Sequence, residues 1–475
     1  MAKKQAEVRQ TSLFRKVILP FVGLVIVIGL ILIGFLAAFG TFQQIHDDEL
    51  HMLSELAVHQ ASGVKAGINM QHTTATLTNE IKPAITQWLE ENETDFLSMY
   101  EEEELCKQLL HHLAPIAQGS FLHHDHTGIF IVLDINKTDL NGQMAYRGLY
   151  IRQQKRGDET AYQLLRGPVT LAGLLGIERS KQWDDCFPMD QNDRSAFYQL
   201  PMRAYANRKN EETTEIEYGY WSPAFHVGKG DDEKVITYSQ PITAEDGSLM
   251  GVVGVEMNMD YLDTLLTVRS ERDNTANEFV LAVTRDGGET YIPVAGRKLL
   301  DTAFEGLSVL SARKKLEHNG RQFLVLDSTD GTNEYYAAVQ PLSLYGEKSP
   351  YSEQQWVLLG VEATKTLFAT ELNFRWAVVL AMALSLIIGL SVAYFVSKHI
   401  AGPIEGLIAR ISKQQGNTVL EYESTGITEV DELSQTISRL NRAVAEEASK
   451  ISKIITLANM PIGAFERKDQ EDQVY

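Results

Sequence analysis

The amino-acid sequence predicts an α+β protein in which two membrane-spanning helices flank a tandem pair of mixed α/β units and lead into a helical tail. Two long runs without any charged residue predict the spans. A strand–turn–strand–helix pattern that occurs twice between those runs predicts the paired units. Apolar residues spaced three and four apart after the second run predict a coiled coil. With 475 residues, 44% of them hydrophobic, the chain has enough material for more than one core.

The overall charge and the absence of catalytic motifs exclude broad classes of function. Lys and Arg total 43 against 63 Asp and Glu, which gives a net charge of −20. A nucleic-acid binder needs a basic face that replaces the counterions condensed on phosphates, so we predict no nucleic-acid partner. The sequence contains no His-Glu-x-x-His, Gly-x-Ser-x-Gly, phosphate-loop or dinucleotide-binding pattern. We therefore predict no catalytic residue, no cofactor and no bound metal.

The N-terminal segment predicts a membrane anchor. Residues 1–16 form a short tail with five basic residues, and residues 17–40 follow without a charge. A span needs about 20 apolar residues, whereas a cleaved signal peptide has an apolar core of roughly 7–15 residues. The run is too long for the second interpretation. Because basic residues stay on the cytoplasmic side, we place residues 1–16 in the cytoplasm and a first transmembrane helix at 17–40.

A second charge-free run predicts the return of the chain through the bilayer. It covers residues 376–396, and Trp376, Tyr394 and Lys398 lie at its ends, where aromatic and basic side chains anchor spans to the interface. Two spans predict a multi-pass protein with the lipid bilayer as a partner. They leave residues 41–372 on the outer side of the membrane.

The exterior region begins with a helical pattern and continues with a repeat. Apolar periodicity predicts helices from Thr41 to about Ala117, with a break at Pro83, and strands begin at Gly128. Residues 235–262 then align with residues 335–368. The matched pairs are Gln240-Pro241 with Gln340-Pro341, Gly254-Val255-Glu256 with Gly360-Val361-Glu362, and the upstream strands that begin at Phe130 and Phe279. Each copy predicts two strands joined by a turn and followed by a short helix.

This tandem arrangement after a long helix leaving the membrane resembles the double Cache family of sensors. The resemblance covers roughly residues 43–372. It implies two PAS-like sheets outside the membrane, a distal unit at about 118–262 and a proximal unit at about 277–368. It further implies that the distal unit binds a small-molecule ligand.

The distal unit contains an insert, from about Arg166 to Tyr220, that is rich in Arg, Tyr, Trp and Asp. Amino-acid-sensing Cache domains carry Arg-x-Trp-Tyr at this place, where the arginine binds a carboxylate and the aromatic residues wall the cleft. Here the segment is Arg194-Ser195-Ala196-Phe197-Tyr198, one residue longer and with Phe in place of Trp. The resemblance implies ligand binding by Arg194, Tyr198, Tyr220 and Trp221. The alternative is that these aromatic residues form core and that Arg194 makes a surface ion pair.

A histidine cluster precedes the first strand, with five of the twelve histidines at positions 111, 112, 123, 124 and 126. Imidazoles at short spacing can bind zinc or copper, which leaves an extracytoplasmic metal-binding protein or enzyme as an alternative function. The cluster lacks a cysteine or second carboxylate at ligand spacing. A solvated loop is the simpler interpretation.

The chain has two cysteines, Cys106 and Cys186, and both fall in the exterior region. A disulfide persists in such a compartment. They lie eighty positions apart, and the sequence is compatible with a bridge and with two free thiols.

Residues 397–445 resemble a HAMP relay. In that family a helix with a proline near its start is followed by a loose connector and by a second helix with an acidic opening. The matching positions are Ile400, Pro403, Ile404 and Leu407 in the first helix and Glu429, Asp431 and Glu432 in the opening of the second. The glycine that usually follows the acidic pair is replaced by Leu433-Ser434. We expect Pro403 to impose a break after the second span.

From Val430 to Ala458 the apolar residues are spaced three and four apart, with one stutter near Val444. This spacing predicts a parallel homodimer, with residues 446–458 as a coiled-coil linker. Residues 459–475 resemble the opening strand of a cytoplasmic PAS domain and are expected to be the start of a domain that continues beyond Tyr475.

The whole arrangement most resembles the sensor half of bacterial membrane receptors that end in a diguanylate cyclase. It implies a transmembrane signal-transduction receptor in the bacterial cytoplasmic membrane, with cyclic-di-GMP synthesis by a domain outside these residues. The sensor half of a chemoreceptor or of a histidine kinase is the alternative within the same class.

Overall fold

The structure is a computed structural model. It describes residues 13–38, 40–123, 125–138, 144–156, 159–189, 193–208, 214–226, 233–267, 278–413 and 428–458. The chain divides into two compact units, one made of residues 1–44 and 371–475 and the other of residues 45–370, which we call the two-sheet unit.

The described residues form eleven α-helices and fifteen strands. The helices are α1 (Leu13–Ala38), α2 (Thr41–Gly67), α3 (Met70–Glu91), α4 (Glu103–Gly119), α5 (Thr170–Leu175), α6 (Ala196–Ala206), α7 (Met259–Leu266), α8 (Arg297–Leu300), α9 (Thr364–Leu367), α10 (Ala369–Lys413) and α11 (Thr428–Ala458). The first eight strands are β1 (Gly128–Thr138), β2 (Met144–Arg156), β3 (Glu159–Arg166), β4 (Glu178–Asp184), β5 (Phe187–Pro188), β6 (Tyr220–His226), β7 (Lys234–Thr243) and β8 (Leu249–Asn258). The others are β9 (Glu278–Thr284), β10 (Thr290–Ala295), β11 (Leu310–Ser311), β12 (Lys314–His318), β13 (Arg321–Asp327), β14 (Glu334–Leu342) and β15 (Gln355–Ala363).

The two-sheet unit contains two sheets whose central strands have the same order. The first sheet runs β4-β3-β2-β1-β8-β7-β6, with β5 paired to β2, and the second runs β11-β10-β9-β15-β14-β13-β12. In each sheet the strand that comes last in the chain pairs with the strand that comes first: β8 pairs with β1, and β15 pairs with β9. The prediction of a mixed α+β fold is confirmed.

The sequence repeat corresponds to this shared topology. Gly254 lies opposite Phe130 in the first sheet, and Gly360 lies opposite Phe279 in the second. A Cβ at Gly254 would lie 2.3 Å from the ring of Phe130, so only glycine allows the aromatic side chain to cross the neighbouring strand. The strand, turn, strand and short helix predicted for each repeat are present, as β7–β8–α7 in the first copy and β14–β15–α9 in the second.

The two faces of the first sheet pack against different helices. Ile129 and Ile131 of β1 belong to a core shared with α3 and α4, and we call this side the α3–α4 face. Phe130 and Val132, which alternate with them, pack with Phe197 of α6, and we call that side the α6 face. Both faces are covered, so the central strands are buried.

The predicted break at Pro83 is wrong, because α3 continues through that residue to Glu91. Ile81 and Ile85, on either side of the proline, are fully buried in the core of the α3–α4 face. A proline inside a helix costs about 3 kcal/mol, and burying two isoleucine side chains gives about the same amount in return. Packing against the sheet therefore keeps the helix continuous.

In the other unit, α1 and α10 are the described helices that are long and apolar enough to cross a membrane. The apolar stretch of the second covers Ala369–Val396. α10 does not break at Pro403 but continues to Lys413, so that expectation is wrong. The missing N–H of a proline removes a single backbone hydrogen bond, which kinks a long helix without having to end it.

α11 is an amphipathic helix of 31 residues. Large apolar side chains are exposed along it, among them Leu440, Val444 and Ile451 at 65%, 60% and 56%. Residues 414–427, which hold the connector of the predicted HAMP relay, and residues 459–475, the predicted PAS opening, lie outside the described residues.

Candidate ligand-binding face

A row of polar side chains crosses the α6 face of the first sheet. The strand registers place Arg152 opposite Gly128, Gly128 opposite Glu256, Glu256 opposite Thr237 and Thr237 opposite Ser222. Directly opposed residues of antiparallel strands project from the same face, so these five positions form one line over β2, β1, β8, β7 and β6. The four side chains in it are at most 7% exposed. The row therefore interrupts an otherwise apolar sheet.

The centre of the row is a buried ion pair. Arg152 donates from Nε to Oε1 of Glu256 over 2.8 Å and from Nη2 to Oε2 over 3.0 Å. This bidentate geometry matches the planar guanidinium to the carboxylate. The hydroxyl of Tyr150 also donates to Glu256, and Glu233 lies 3.6 Å from Nη1 of Arg152. The pair is fixed in place by groups from β2, β8 and the residue directly before β7.

Gly128 is what makes room for the Glu256 side chain. A Cβ at position 128 would lie 2.5 Å from the Cγ and Cδ atoms of Glu256. Burial raises the pKa of the Glu256 carboxyl, because the charged form loses its water. The guanidinium of Arg152 acts in the opposite direction and favours the carboxylate. The charged form of this buried carboxyl group therefore relies on the hydrogen bonds that Arg152 and Tyr150 donate to it.

The next row on the same face is aromatic and lies under α6. It consists of Tyr150, Phe130, Gly254, Ser239 and Tyr220, in register. The ring centroids of Phe130 and Phe197 are 5.0 Å apart, and the Ser239 hydroxyl donates to the Phe197 carbonyl over 2.5 Å. These contacts hold α6 across the sheet, beside the polar row.

The four predicted site residues occupy three different environments. Tyr198 of α6 is buried, and its hydroxyl donates to Asp134 Oδ1 over 2.8 Å. Burial and the charge of Asp134 raise the pKa of this phenol. Tyr220 belongs to the aromatic row, so these two tyrosines share the α6 face. Arg194 is exposed in the turn that precedes α6. Trp221 lies on the α3–α4 face, where its ring contacts Tyr238.

The polar row is not among the site residues predicted from the sequence. A glutamate that follows the apolar run from Met250 to Val255 is the signal that could have found it, because a charged residue inside a buried strand needs a partner. Its partner Arg152 lies 104 positions away. In the sequence, the Gly-Val-Glu motif indicates the repeat and not a site.

The edge strand β6 joins the first sheet to the second. The backbone N–H of Trp221 donates to the Tyr345 hydroxyl over 2.9 Å, and Gln354 Nε2 donates to the Trp221 carbonyl over 2.9 Å. The Trp221 ring lies 6.1 Å from the ring of Trp356, edge to face. Side chains of the second repeat thus bind the free edge of β6, next to the α6 face.

Two of the described histidines of the cluster, His111 and His126, have separate protein partners. His111 contacts Thr170 over 2.6 Å, whereas His126 is buried, 3.0 Å from the Ser120 hydroxyl and against the ring of Phe121. Within the described part of the chain, no group of three or more His, Cys, Asp or Glu is placed to hold a metal ion. His124 lies outside the described residues.

No family model and no curated protein matches the sequence. Among solved structures, the periplasmic sensory domain of the Campylobacter jejuni chemoreceptor Tlp1 is similar, at 12% identity and a TM-score of 0.38, over 69% of this chain and 98% of that chain. A second similar structure is the ligand-binding domain of the Pseudomonas aeruginosa PAO1 amino-acid chemoreceptor PctC in complex with GABA, at 12% identity and a TM-score of 0.24, over 61% of this chain and 98% of that one. The first is a periplasmic sensory domain, and the second is the ligand-binding domain of a chemoreceptor.

Proposed function

We propose that this protein is a transmembrane receptor that detects a small molecule outside the cytoplasmic membrane and passes a conformational change to the cytoplasm. The observation that carries the proposal is the order of elements along the chain, in which two topologically equivalent sheets follow one apolar helix and precede another. A pair of helices that returns the chain to its starting side suits a receptor, because sensing and output then lie on opposite sides of the bilayer.

The topology gives the first test. A reporter fused after Glu371 should be active outside the membrane, and one fused after Glu446 should be active in the cytoplasm. The five basic residues before the first span supply the physical reason. An alkaline phosphatase and a fluorescent protein at each position form a matched set, since they report opposite compartments. Both positions on the same side would exclude the receptor.

We propose the α6 face as the ligand site, with a carboxylate-bearing small molecule as its ligand. Two features support this choice. The face carries a buried polar row beside aromatic side chains, and Tyr198 and Tyr220 both lie on it. Arg194 stands at the start of the helix that covers the face, where its guanidinium would bind the carboxylate at the rim. Trp221 would support the floor from the other side of the sheet.

The role of Arg194 gives a second prediction. The probes are GABA and a set of protein amino acids, each added to the purified full chain while thermal unfolding is followed. A probe present at 100 times its Kd should stabilise the wild type by about 2.7 kcal/mol, and the Arg194→Ala variant should lose this effect. Arg203→Ala is the matched control, because Arg203 is exposed on α6 itself. Equal stabilisation of both variants would remove Arg194 from the site.

We propose that α11 forms a parallel coiled coil with a second copy of the chain and that the relay acts on an output domain outside these residues. The resemblance to diguanylate cyclase receptors makes cyclic-di-GMP synthesis the proposed output. Support for the dimer comes from the exposed apolar stripe of α11, which includes Leu433, Leu440 and Val444. A stripe with this spacing is buried when two such helices associate.

The dimer gives a third prediction. Replacing Leu440 and Val444 with aspartate should abolish crosslinking of the full chain in membranes, since it would place four buried charges in one dimer seam. Gln435→Asp with Arg442→Asp is the matched control, because both positions face away from the seam. If the control also lost crosslinking, or if both variants kept it, Leu440 and Val444 would not form the dimer seam.

A further inference from the structure

The two cysteines of the exterior region approach each other in the fold. Cys106 lies on α4, and Cys186 comes directly before β5; they are 0% and 5% exposed. Both are buried cysteines without a disulfide in the structure. Neither takes part in the proposed ligand site.

Strand pairing sets the position of Cys186. β5 pairs with β2 so that Pro188 lies opposite Ala145 and Phe187 opposite Tyr146. The same register, continued by one residue, places Cys186 opposite Arg147. Tyr146 contacts Tyr198 on the α6 face, with ring centroids 4.6 Å apart. Because side chains alternate along a strand, Arg147 and Cys186 point to the α3–α4 face.

α4 brings Cys106 to the same place. Arg147 Nη2 lies 2.9 Å from Glu103 Oε2, and Glu103 is one helical turn before Cys106 on the same side of α4. Burial raises the pKa of each thiol to about 12, and the positive charge of Arg147 acts on both. A charge on Cys186 would also raise the pKa of Cys106, so the two sulfur atoms lie within electrostatic reach.

We propose that Cys106 and Cys186 form a structural disulfide in the exported protein, which rests on the proposed exterior location of this region. The oxidant is a disulfide compound. One cysteine thiolate attacks it and releases the first thiol, and the other cysteine then attacks the mixed disulfide and releases the second. Two protons and two electrons leave the cysteines, and one disulfide is reduced to two thiols. Because buried thiols with a raised pKa react slowly, the bond forms while the chain folds.

The bond would link α4, which packs on the α3–α4 face, to the chain segment that leads to the helix of the α6 face. α4 packs on the α3–α4 face, whereas the chain that follows Cys186 leads through β5 to the turn of Arg194 and to α6. A covalent link at Cys186 therefore fixes the beginning of the segment that covers the α6 face. It would hold Arg194 and α6 in place without using any residue of the polar row.

The test is thiol counting on the full chain. Membranes are lysed in excess N-ethylmaleimide, the protein is unfolded without reductant, and its mass is measured. We expect no maleimide adduct and two adducts after reduction, with a non-reduced peptide that joins Cys106 to Cys186. Cys106→Ser and Cys186→Ser are the controls, and each should show one adduct without reduction. Two adducts on the unreduced wild type, in a chain whose Glu371 reporter is outside, would overturn the proposal.

A second measurement separates this proposal from the proposed topology. The reduced full chain is unfolded in urea with detergent and then diluted into a buffer of reduced and oxidised glutathione. Formation of the Cys106–Cys186 link supports the proposal wherever the reporter is found. Its absence from folded protein under these conditions would overturn the proposal, even if the topology is as we propose.

Discussion

Replacing Arg152 with methionine is expected to lower the free energy of unfolding of the two-sheet unit by about 3–5 kcal/mol. The reason is the position of Glu256, which is fully buried and meets the Arg152 guanidinium at 2.8 and 3.0 Å. Without the arginine, Glu256 must either remain charged in an apolar sheet or take up a proton. Either choice costs free energy, because a buried carboxylate without its partner is strongly unfavourable and a protonated carboxyl lacks the two hydrogen bonds that Arg152 donates.

The measurement is urea unfolding of the full chain in detergent, followed by tryptophan fluorescence. Arg203→Met is the control, since Arg203 is exposed and its replacement should change stability by less than about 0.5 kcal/mol. The double variant Arg152→Met with Glu256→Leu should recover much of the loss, because it removes both charges at once. An Arg152→Met variant no less stable than the control would show that Glu256 does not depend on this arginine.

Much of the fold could be predicted because short sequence motifs determine it locally. The repeat of Gly-Val-Glu and of Gln-Pro predicts two equivalent strand pairs, and both are present as β7–β8 and β14–β15. The two prolines that were expected to interrupt helices, Pro83 and Pro403, do not end them. Whether a proline ends a helix depends on how well the flanking turns are packed, and packing cannot be read from the proline itself.

The candidate site could be predicted only in part, because it is a property of strand register. Arg152, Glu256, Thr237 and Ser222 come from four strands, and the row appears once those strands are paired. The composition of the aromatic insert indicates a site, and the insert supplies Tyr198 and Tyr220 to the α6 face. Composition does not show that Trp221, one residue after Tyr220, points to the opposite face, because that follows from the alternation of side chains along a strand.

Replacing Trp221 with alanine is expected to cost about 3–5 kcal/mol, the usual loss for a large buried aromatic side chain. The side chain is 1% exposed and packs between Tyr238 of its own sheet and Trp356 of the second sheet. Part of the stability lost in Trp221→Ala should therefore come from the lost contact with Trp356. A double-mutant cycle with Trp356→Ala, measured by the same urea unfolding, should give a coupling energy of about 0.5–1.5 kcal/mol.

The control for this cycle is Trp183, which lies on β4 at the other edge of the first sheet and donates from Nε1 to the Gly167 carbonyl over 3.1 Å. Trp221→Ala and Trp183→Ala should add within about 0.3–0.5 kcal/mol, because the two side chains share no partner. A coupled Trp221–Trp356 pair beside an additive Trp221–Trp183 pair would mean that a change at the β6 edge reaches the second sheet directly. If the Trp221–Trp356 cycle were also additive, the contact between the sheets could not carry such a change, and the route from the α6 face to the membrane would have to run through the helices instead.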